Sequence, residues 1–174
     1  MKKLTVAFSL LISLHLSAQE KVKADTTALH SIGGIVKEML RLMSAGKGKA
    51  RNFEALRNLF LPGARFTILN HSDSLPQGVE SVSLDEFMEL IHDDYYEQGY
   101  TERELVKTVN QFNGIAHVFQ SFEGRDASNE AERGMNSYQL VYTGNRWWIA
   151  NILWTVETAK VKLPAAYLKK QVAH

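Results

Sequence analysis

The sequence predicts an α+β fold in which helices come first and a curved antiparallel sheet of about four to six strands follows. Two observations predict this order. Apolar residues follow helical spacing over 27–43, and a second helical pattern runs over 83–95. From residue 100 onward, strand-like segments alternate with tight-turn signals at Asn113-Gly114 and Gly144-Asn145. Helices followed by a run of strands are typical of α+β domains.

The helical part of the chain contains three predicted helices and one strand. The first helix spans 27–43, and a short second helix follows Asn52, which is its predicted N-cap. Pro62-Gly63 ends that helix, and a first strand is expected over 64–69. Residues 71–77 are polar and turn-rich. The third helix begins at a capping box formed by Ser83 and Glu86 and ends near Gly99.

The second half of the chain predicts a four-stranded meander. Strands are expected over 100–109, 115–123, 135–142 and 147–154, with a longer polar loop over 124–132. Pro164 interrupts a short C-terminal tail whose docking the sequence does not indicate.

Residues 1–19 have the layout of a secretory signal peptide. Lys2 and Lys3 form a cationic start, an apolar run follows over 4–16, and Ser17-Ala18 supply small residues at its end. That run is too short to span a bilayer. A buried N-terminal helix is the alternative, and the cationic start favours the signal peptide. We therefore expect an exported protein, periplasmic or secreted, with a single domain over 20–174 and no membrane anchor.

Composition excludes several classes of function. The chain has 20 basic and 19 acidic residues, and loss of the leader removes two of the basic ones. Nucleic-acid binding is not expected, because it requires a concentrated basic surface. The chain has no cysteine, which excludes a thiol nucleophile and a Cys-based metal site. No phosphate-binding glycine loop and no nucleophile elbow occurs. No cofactor is predicted.

Three stretches resemble the nuclear transport factor 2-like (NTF2-like, or SnoaL-like) superfamily: 51–66 (RNFEALRNLFLPGARF), 113–123 (NGIAHVFQSFE), and 133–141 (RGMNSYQLV) with 145–149 (NRWWI). The resemblance covers roughly 27–156 and is strongest to a bacterial branch of largely uncharacterised proteins. It implies a cone-shaped fold. The superfamily includes ketosteroid isomerases, scytalone dehydratase, polyketide cyclases and catalytically inert binding domains. No motif here matches a catalytic set, so the resemblance transfers no catalytic residue.

The last predicted hairpin has two distinguishable faces. A two-residue Gly144-Asn145 turn predicts four cross-strand pairs: Tyr142 with Trp147, Val141 with Trp148, Gln139 with Ala150 and Ser137 with Ile152. One face then offers aromatic walls, small residues and a polar anchor, as a ligand pocket requires. The predicted ligand-binding residues on this face are Ser137, Gln139, Trp148, Ala150 and Trp154. Packed core is the equally weighted alternative for the same residues.

His117 is the candidate acid or base, because it is the one histidine inside a predicted central strand. We expect its side chain to point inward near Gln139 and Trp148. A structural, hydrogen-bonded histidine is the favoured alternative. Glu102 and Glu104 share a strand face, and an exposed face explains them more simply than a paired acid-base site. Neighbouring residues His92 and Asp93 point apart on a helix, so no metal site is predicted.

Three functions remain open from the sequence. The favoured one is an exported domain that binds a small, largely apolar molecule without turning it over. The second is a proton-transfer enzyme of the isomerase, dehydratase or cyclase type that uses His117. The third is a sheet-mediated interaction module, and the resemblance implies a homodimer through the face bearing Tyr138, Tyr142 and Trp147.

Overall fold

The computed structural model describes residues 25–72 and 75–168. The predicted signal peptide over 1–19 lies outside these residues. The predicted α+β class is confirmed: helices come first, and six strands form one curved, unclosed sheet that is mostly antiparallel. In the described part of the chain, no helix has the length and apolar character needed to cross a bilayer.

The helices begin at residues whose side chains satisfy exposed backbone donors. A 3-10 turn over Thr27–His30 leads into α1 (Ile32–Met43), where the Ser31 hydroxyl accepts from Gly34 N–H. The predicted N-cap at Asn52 is confirmed for α2 (Phe53–Arg57), and the capping box at Ser83 is confirmed for α3 (Leu84–Leu90). The third predicted helix is shorter than expected, because α4 (Asp94–Glu97) is a separate turn.

The six strands are β1 (Phe60–Ser72), β2 (Leu75–Ser83), β3 (Thr101–Phe112), β4 (Ile115–Arg125), β5 (Ala131–Thr143) and β6 (Arg146–Val156). Their order across the sheet is β2-β1-β6-β5-β4-β3. Neighbours are antiparallel except β1 and β6, which are parallel. The sequence prediction of a polar turn over 71–77 missed β2, because that strand lies at the sheet edge and is mostly exposed.

A β-bulge in the last hairpin decides which side chains share a face. The predicted pairs Tyr142–Trp147 and Val141–Trp148 are confirmed, but the register shifts between Gln139 and Leu140. The predicted pairs Gln139–Ala150 and Ser137–Ile152 are therefore wrong. Gln139 pairs with Asn151, and Ser137 pairs with Leu153. One extra residue on a strand moves every later side chain to the other face.

The core lies between one face of the sheet, called the inner face here, and helices α1 and α3. Its largest fully buried side chains include Tyr138, Phe66, Leu42 and Leu140. The predicted dimer face included Tyr138, and this part of the prediction is wrong. Tyr138 is 1% exposed and is covered by the chain's own helices, so it cannot contact a second copy. The opposite face is called the outer face.

The chain after β6 crosses one end of the outer face. A 3-10 turn over Ala165–Tyr167 follows Pro164. The Ser121 hydroxyl donates to the Tyr167 carbonyl oxygen at 2.6 Å, and the rings of Phe119 and Tyr167 meet edge to face at 5.7 Å. Within residues 25–72 and 75–168, this segment covers Ser121 and leaves the other end of the outer face open.

Candidate functional site

A cavity of about 70 Å³ lies between the inner face and α1. That volume admits a few waters or a small organic group. Most of its wall is apolar and aromatic: the lining includes Met39, Met43, Phe66, Phe87, Phe122 and Trp154. One end is polar, where Tyr100, Glu102, Glu132 and Asn136 meet. Apolar walls with a few converging polar groups are typical of small-molecule sites.

The aromatic wall is built from three different elements of the fold. Phe66 of β1 and Phe87 of α3 stack with ring centroids 3.9 Å apart. Trp154 of β6 meets Phe87 edge to face at 6.3 Å. The β5–β6 bulge turns Trp154 inward beside Asn136, its cross-strand partner. The wall is therefore fixed by packing between elements that are distant in sequence.

The polar end is a row of three residues across neighbouring strands. Glu102 of β3 pairs with Gly124 of β4, and Gly124 pairs with Glu132 of β5. Because Gly124 has no side chain, Tyr100 occupies the space between the two carboxylates. Its hydroxyl lies 3.4 Å from Glu102 Oε2 and 3.5 Å from Glu132 Oε1. A phenol has one proton to donate, so it serves one carboxylate at a time.

Glu102 is the group at this end whose protonation changes near neutral pH. Burial raises its pKa from 4.5 to about 7. Asn136 Nδ2 donates to Glu102 Oε1 at 3.0 Å. That bond and the Tyr100 hydroxyl oppose the rise, whereas the charge of Glu132 adds to it. Burial of its carboxyl group also raises the pKa of Glu132, although the residue as a whole is exposed.

The end of α1 holds the start of β3 in place. The Ser44 hydroxyl accepts from Glu102 N–H at 2.8 Å and donates to the Glu102 carbonyl oxygen at 3.3 Å. Ala45 and Tyr100 exchange two backbone hydrogen bonds of 2.8 and 3.0 Å. These contacts fix the backbone that carries Tyr100 and Glu102, so both side chains are directed to the cavity.

Arg51 fixes a third wall of the cavity. It is 5% exposed, and its guanidinium donates to the Met43 carbonyl oxygen at 2.8 Å and to the Tyr96 carbonyl oxygen at 2.7 Å. Met43 and Tyr96 both line the cavity. A buried arginine with carbonyl acceptors thus joins the end of α1 to the segment that carries α4.

Solved structures with this architecture come from several bacteria. An NTF2-like protein with a cystatin-like fold from Novosphingobium aromaticivorans matches with a TM-score of 0.56 and 13% identity, over 76% of this chain and 81% of its own. This chain has the NTF2-like cone fold. The resemblance drawn from the sequence is thereby confirmed at the level of fold. No protein-family model and no curated protein matches the sequence.

Other cone-fold structures include enzymes. A candidate ketosteroid isomerase from Shewanella frigidimarina matches with a TM-score of 0.52 and 19% identity, over 75% of this chain and 95% of its own. A hexachlorocyclohexane dehydrochlorinase matches with a TM-score of 0.51 and 9% identity, over 75% of this chain and 89% of its own. At these identities the likeness establishes the fold and leaves the activity open.

The prediction that His117 points inward is wrong. His117 is exposed on the outer face, where its Nε2 lies 2.9 Å from Ser137 Oγ. Its neighbours Ala116 and Val118 face the core instead. Alternation along β4 left both faces possible, and the packing of those two apolar side chains inward decides between them. His117 therefore lies on the opposite side of the sheet from the cavity.

The five predicted ligand-binding residues do not share one face. Trp154 lines the inner cavity. Gln139 and Ala150 line a shallow outer depression together with His117, and Ser137 contacts His117 there. Trp148 lies on the same outer face, where Arg146 stacks on its ring at 3.7 Å. The bulge at Gln139–Leu140 is the reason for the division.

Glu102 is the functional candidate that sequence reasoning discarded. The sequence predicts an exposed strand face for Glu102 and Glu104, but both residues are partly buried and face inward. The signal present in the sequence was Gly124, a strand glycine that permits close approach of another side chain. Within the described residues, no three His, Asp or Glu side chains converge as a metal site.

Proposed function

We propose that the protein binds a small, largely apolar molecule in the inner cavity. The observation that carries this proposal is the cavity itself, with aromatic walls and one polar end at Glu102. Such a pocket provides apolar contact area for affinity and a few hydrogen-bonding groups for orientation. The predicted binding function is retained, and its site moves from the outer face to the inner one.

Two tryptophan variants test this location. Trp154→Phe changes the cavity wall, and Trp148→Phe makes the same chemical change on the outer face. A native mass spectrum of protein from its own host identifies a retained molecule, and titration with that molecule is followed by tryptophan fluorescence. We expect the fluorescence response to persist in Trp148→Phe and to vanish in Trp154→Phe. The reverse pattern contradicts the proposal, and so does a host protein without a retained molecule.

Proton transfer is the second candidate function, and the protonation behaviour of Glu102 favours it. A carboxyl group with a pKa of about 7 can take up or release a proton near neutral pH. It stands at the end of an apolar cavity, where a bound molecule would be shielded from water. Glu102 thus takes the role that the sequence assigned to His117 in an isomerase, dehydratase or cyclase.

Hydrogen–deuterium exchange at carbon tests this second candidate. The probes are small cyclic ketones in D₂O, whose α-hydrogens are lost to a general base. We expect exchange catalysed by the protein to increase as pH rises through about 7 and to be lost in Glu102→Gln. Glu123→Gln is the matched control, because Glu123 pairs with Arg103 and Arg125 away from the cavity. Equal rates for the two variants contradict a role for Glu102.

Association through the outer face is the third candidate. Phe112 is 78% exposed and Ile115 is 60% exposed, and the two residues are cross-strand partners at one end of β3 and β4. Exposed apolar side chains placed side by side favour contact with another surface. We propose that a second copy of this chain covers them and that the protein is a homodimer.

We also propose that the chain is exported and that its leader is removed. Support comes from the cationic, apolar and small-residue order of residues 1–19. Intact-mass analysis of the exported protein is expected to show a loss of about 18 or 19 residues, as is usual for a cleaved signal peptide. An envelope or secreted form that still begins at Met1 contradicts this proposal.

A further inference from the structure

Gln120 is fully buried and connects the polar side chains of the inner face. It is 0% exposed. Its Nε2 donates to Glu104 Oε2 at 3.1 Å, and its Oε1 accepts from Asn136 Nδ2 and from the Tyr138 hydroxyl, both at 3.3 Å. The NH₂ group of Gln120 is therefore directed to Glu104, and its carbonyl oxygen is directed to Asn136 and Tyr138. It does not line the cavity, so it has no direct access to a bound molecule.

An ion pair fixes the direction in which the Gln120 amide points. Lys107 Nζ contacts both carboxylate oxygens of Glu104, at 2.7 and 2.8 Å. A β-bulge between Glu104 and Val106 brings Glu104 and Lys107 to the same face, although they are three residues apart. The ionised Glu104 carboxylate only accepts hydrogen bonds. The amide NH₂ of Gln120 must therefore face Glu104, and its carbonyl oxygen must face Asn136.

The orientation of Gln120 in turn fixes that of Asn136. The Gln120 carbonyl oxygen only accepts hydrogen bonds, so Asn136 presents its NH₂ group to it and not its own carbonyl oxygen. The same nitrogen donates to Glu102 Oε1 at 3.0 Å. Its two hydrogens thus serve Gln120 and Glu102. A flipped Asn136 would place its carbonyl oxygen against two acceptors, which is unfavourable in a buried site.

We propose that Gln120 is a positioning residue for Glu102: it holds the Asn136 amide so that an N–H group always faces the Glu102 carboxylate. This inference rests on the proposed function of Glu102 in proton transfer. The orientation passes from Lys107–Glu104 through Gln120 to Asn136 and ends at Glu102. The hydrogen bonds of Gln120 go to Glu104, Asn136 and Tyr138 and not to Glu102, and Gln120 does not line the cavity, so its effect is exerted through Asn136.

Other charged groups face Glu102 and are left unchanged by the test. Glu132 of β5 faces it through Tyr100. Lys37 and Arg41 of α1 line a neighbouring groove that Glu102 also borders. Tyr138 of β5 is kept neutral, since burial raises its pKa well above the usual value. None of these groups is removed by a substitution at Gln120.

The test measures the titration of the Glu102 carboxyl carbon by ¹³C NMR in the full chain without ligand. Gln120→Met retains the length of the side chain and removes both polar ends. Asn136 then loses its fixed orientation, and we expect the pKa of Glu102 to rise by about one unit. In the Asn136→Leu background, the same substitution is expected to cause no further rise, because Gln120 acts only through Asn136.

Tyr138→Phe is the matched control, because it removes the other donor to the same Gln120 oxygen. We expect it to leave the titration of Glu102 unchanged. If Gln120→Met does not fold, Glu104→Gln replaces it: Glu104 is only partly buried, and its loss frees Gln120 to flip.

Two results overturn the proposal. One is an unchanged pKa of Glu102 in Gln120→Met. The other is a further rise of that pKa when Gln120→Met is added to Asn136→Leu. A purely structural Gln120 would lower stability without moving the pKa of Glu102. Failure of the proposed function is separable, since it would abolish carbon exchange in the wild type and leave these titrations unaffected.

Discussion

The ring of Tyr100 lies directly across Gly124, and a β-carbon at residue 124 would stand 3.0 Å from Cζ of that ring and closer still to the hydroxyl oxygen. This contact lets one phenol reach Glu102 on β3 and Glu132 on β5, on either side of β4. The polar end of the cavity therefore depends on the absence of a side chain at Gly124.

Gly124→Ala is expected to displace Tyr100 from both carboxylates. Because Tyr100 is 5% exposed and has little room to move, we expect a loss of about 1–3 kcal/mol in the free energy of unfolding, as is usual for overpacking. The loss of the phenol donor also raises the pKa of Glu102. Urea unfolding and ¹³C titration measure the two effects. Gly63→Ala is the control, since nothing lies within 4 Å of its β-carbon position. Equal stabilities for the two variants contradict the contact.

The stability of the protein is expected to decrease as pH rises from about 4.5 to about 7. Folding raises the pKa of Glu102 from 4.5 to about 7, so the folded state favours the protonated carboxyl. Ionisation of Glu102 therefore destabilises the fold, with an effect that begins above pH 4.5, grows up to about pH 7 and is constant beyond. The shift corresponds to at most about 3 kcal/mol.

Glu102→Gln isolates this effect from other titrating groups. It carries no charge at any pH, so we expect its advantage over the wild type in unfolding free energy to grow between pH 5 and pH 8. Urea unfolding at four pH values measures the difference. Glu123→Gln is expected to show no such gain. The Glu123 carboxylate forms ion pairs with Arg103 and Arg125, and these favour its ionised form. A difference between wild type and Glu102→Gln that is independent of pH contradicts the raised pKa.

Ala150→Leu is expected to leave the fold and the inner cavity unaffected. Ala150 lies at the β5–β6 bulge and lines the shallow outer depression, not the inner cavity. Added bulk there meets solvent, so the change in unfolding free energy is expected to stay within about 0.5 kcal/mol. Thermal melting and titration with the retained molecule provide the measurements. Loss of binding in Ala150→Leu would return the ligand site to the outer face.

Phe112→Ser and Ile115→Ser are expected to weaken the proposed homodimer. Both side chains are exposed in the single chain, so their loss has little effect on folding, whereas it removes apolar area from the contact between copies. Light scattering across a concentration series measures the mass. Val79→Ser is the control, because Val79 is 69% exposed on the edge strand β2 at the other side of the sheet. A wild-type monomer at high micromolar concentration refutes the homodimer.

Local sequence signals predicted most of the elements. Ser83 and Glu86 determine where α3 begins, because the side chain of each residue accepts a hydrogen bond from the backbone N–H of the other. The positive φ angles of Asn113, Gly114, Gly144 and Asn145 match the two predicted hairpin turns. These features involve residues close in sequence, which is why local sequence patterns sufficed to predict them.

Tertiary structure alone decided which residues form the site. The alternation in β4 and β5 defined two faces, but only the inward packing of Val118 and Tyr138 against the helices put His117 outside. The bulge at Gln139–Leu140 then placed the side chains of Trp154 and Ala150 on opposite faces of the sheet. Such register choices depend on how well the whole core packs, and a local pattern is compatible with both faces. The sequence by itself therefore determined the α+β class and the hairpins, whereas long-range packing brought Tyr100, Glu102 and Glu132 together.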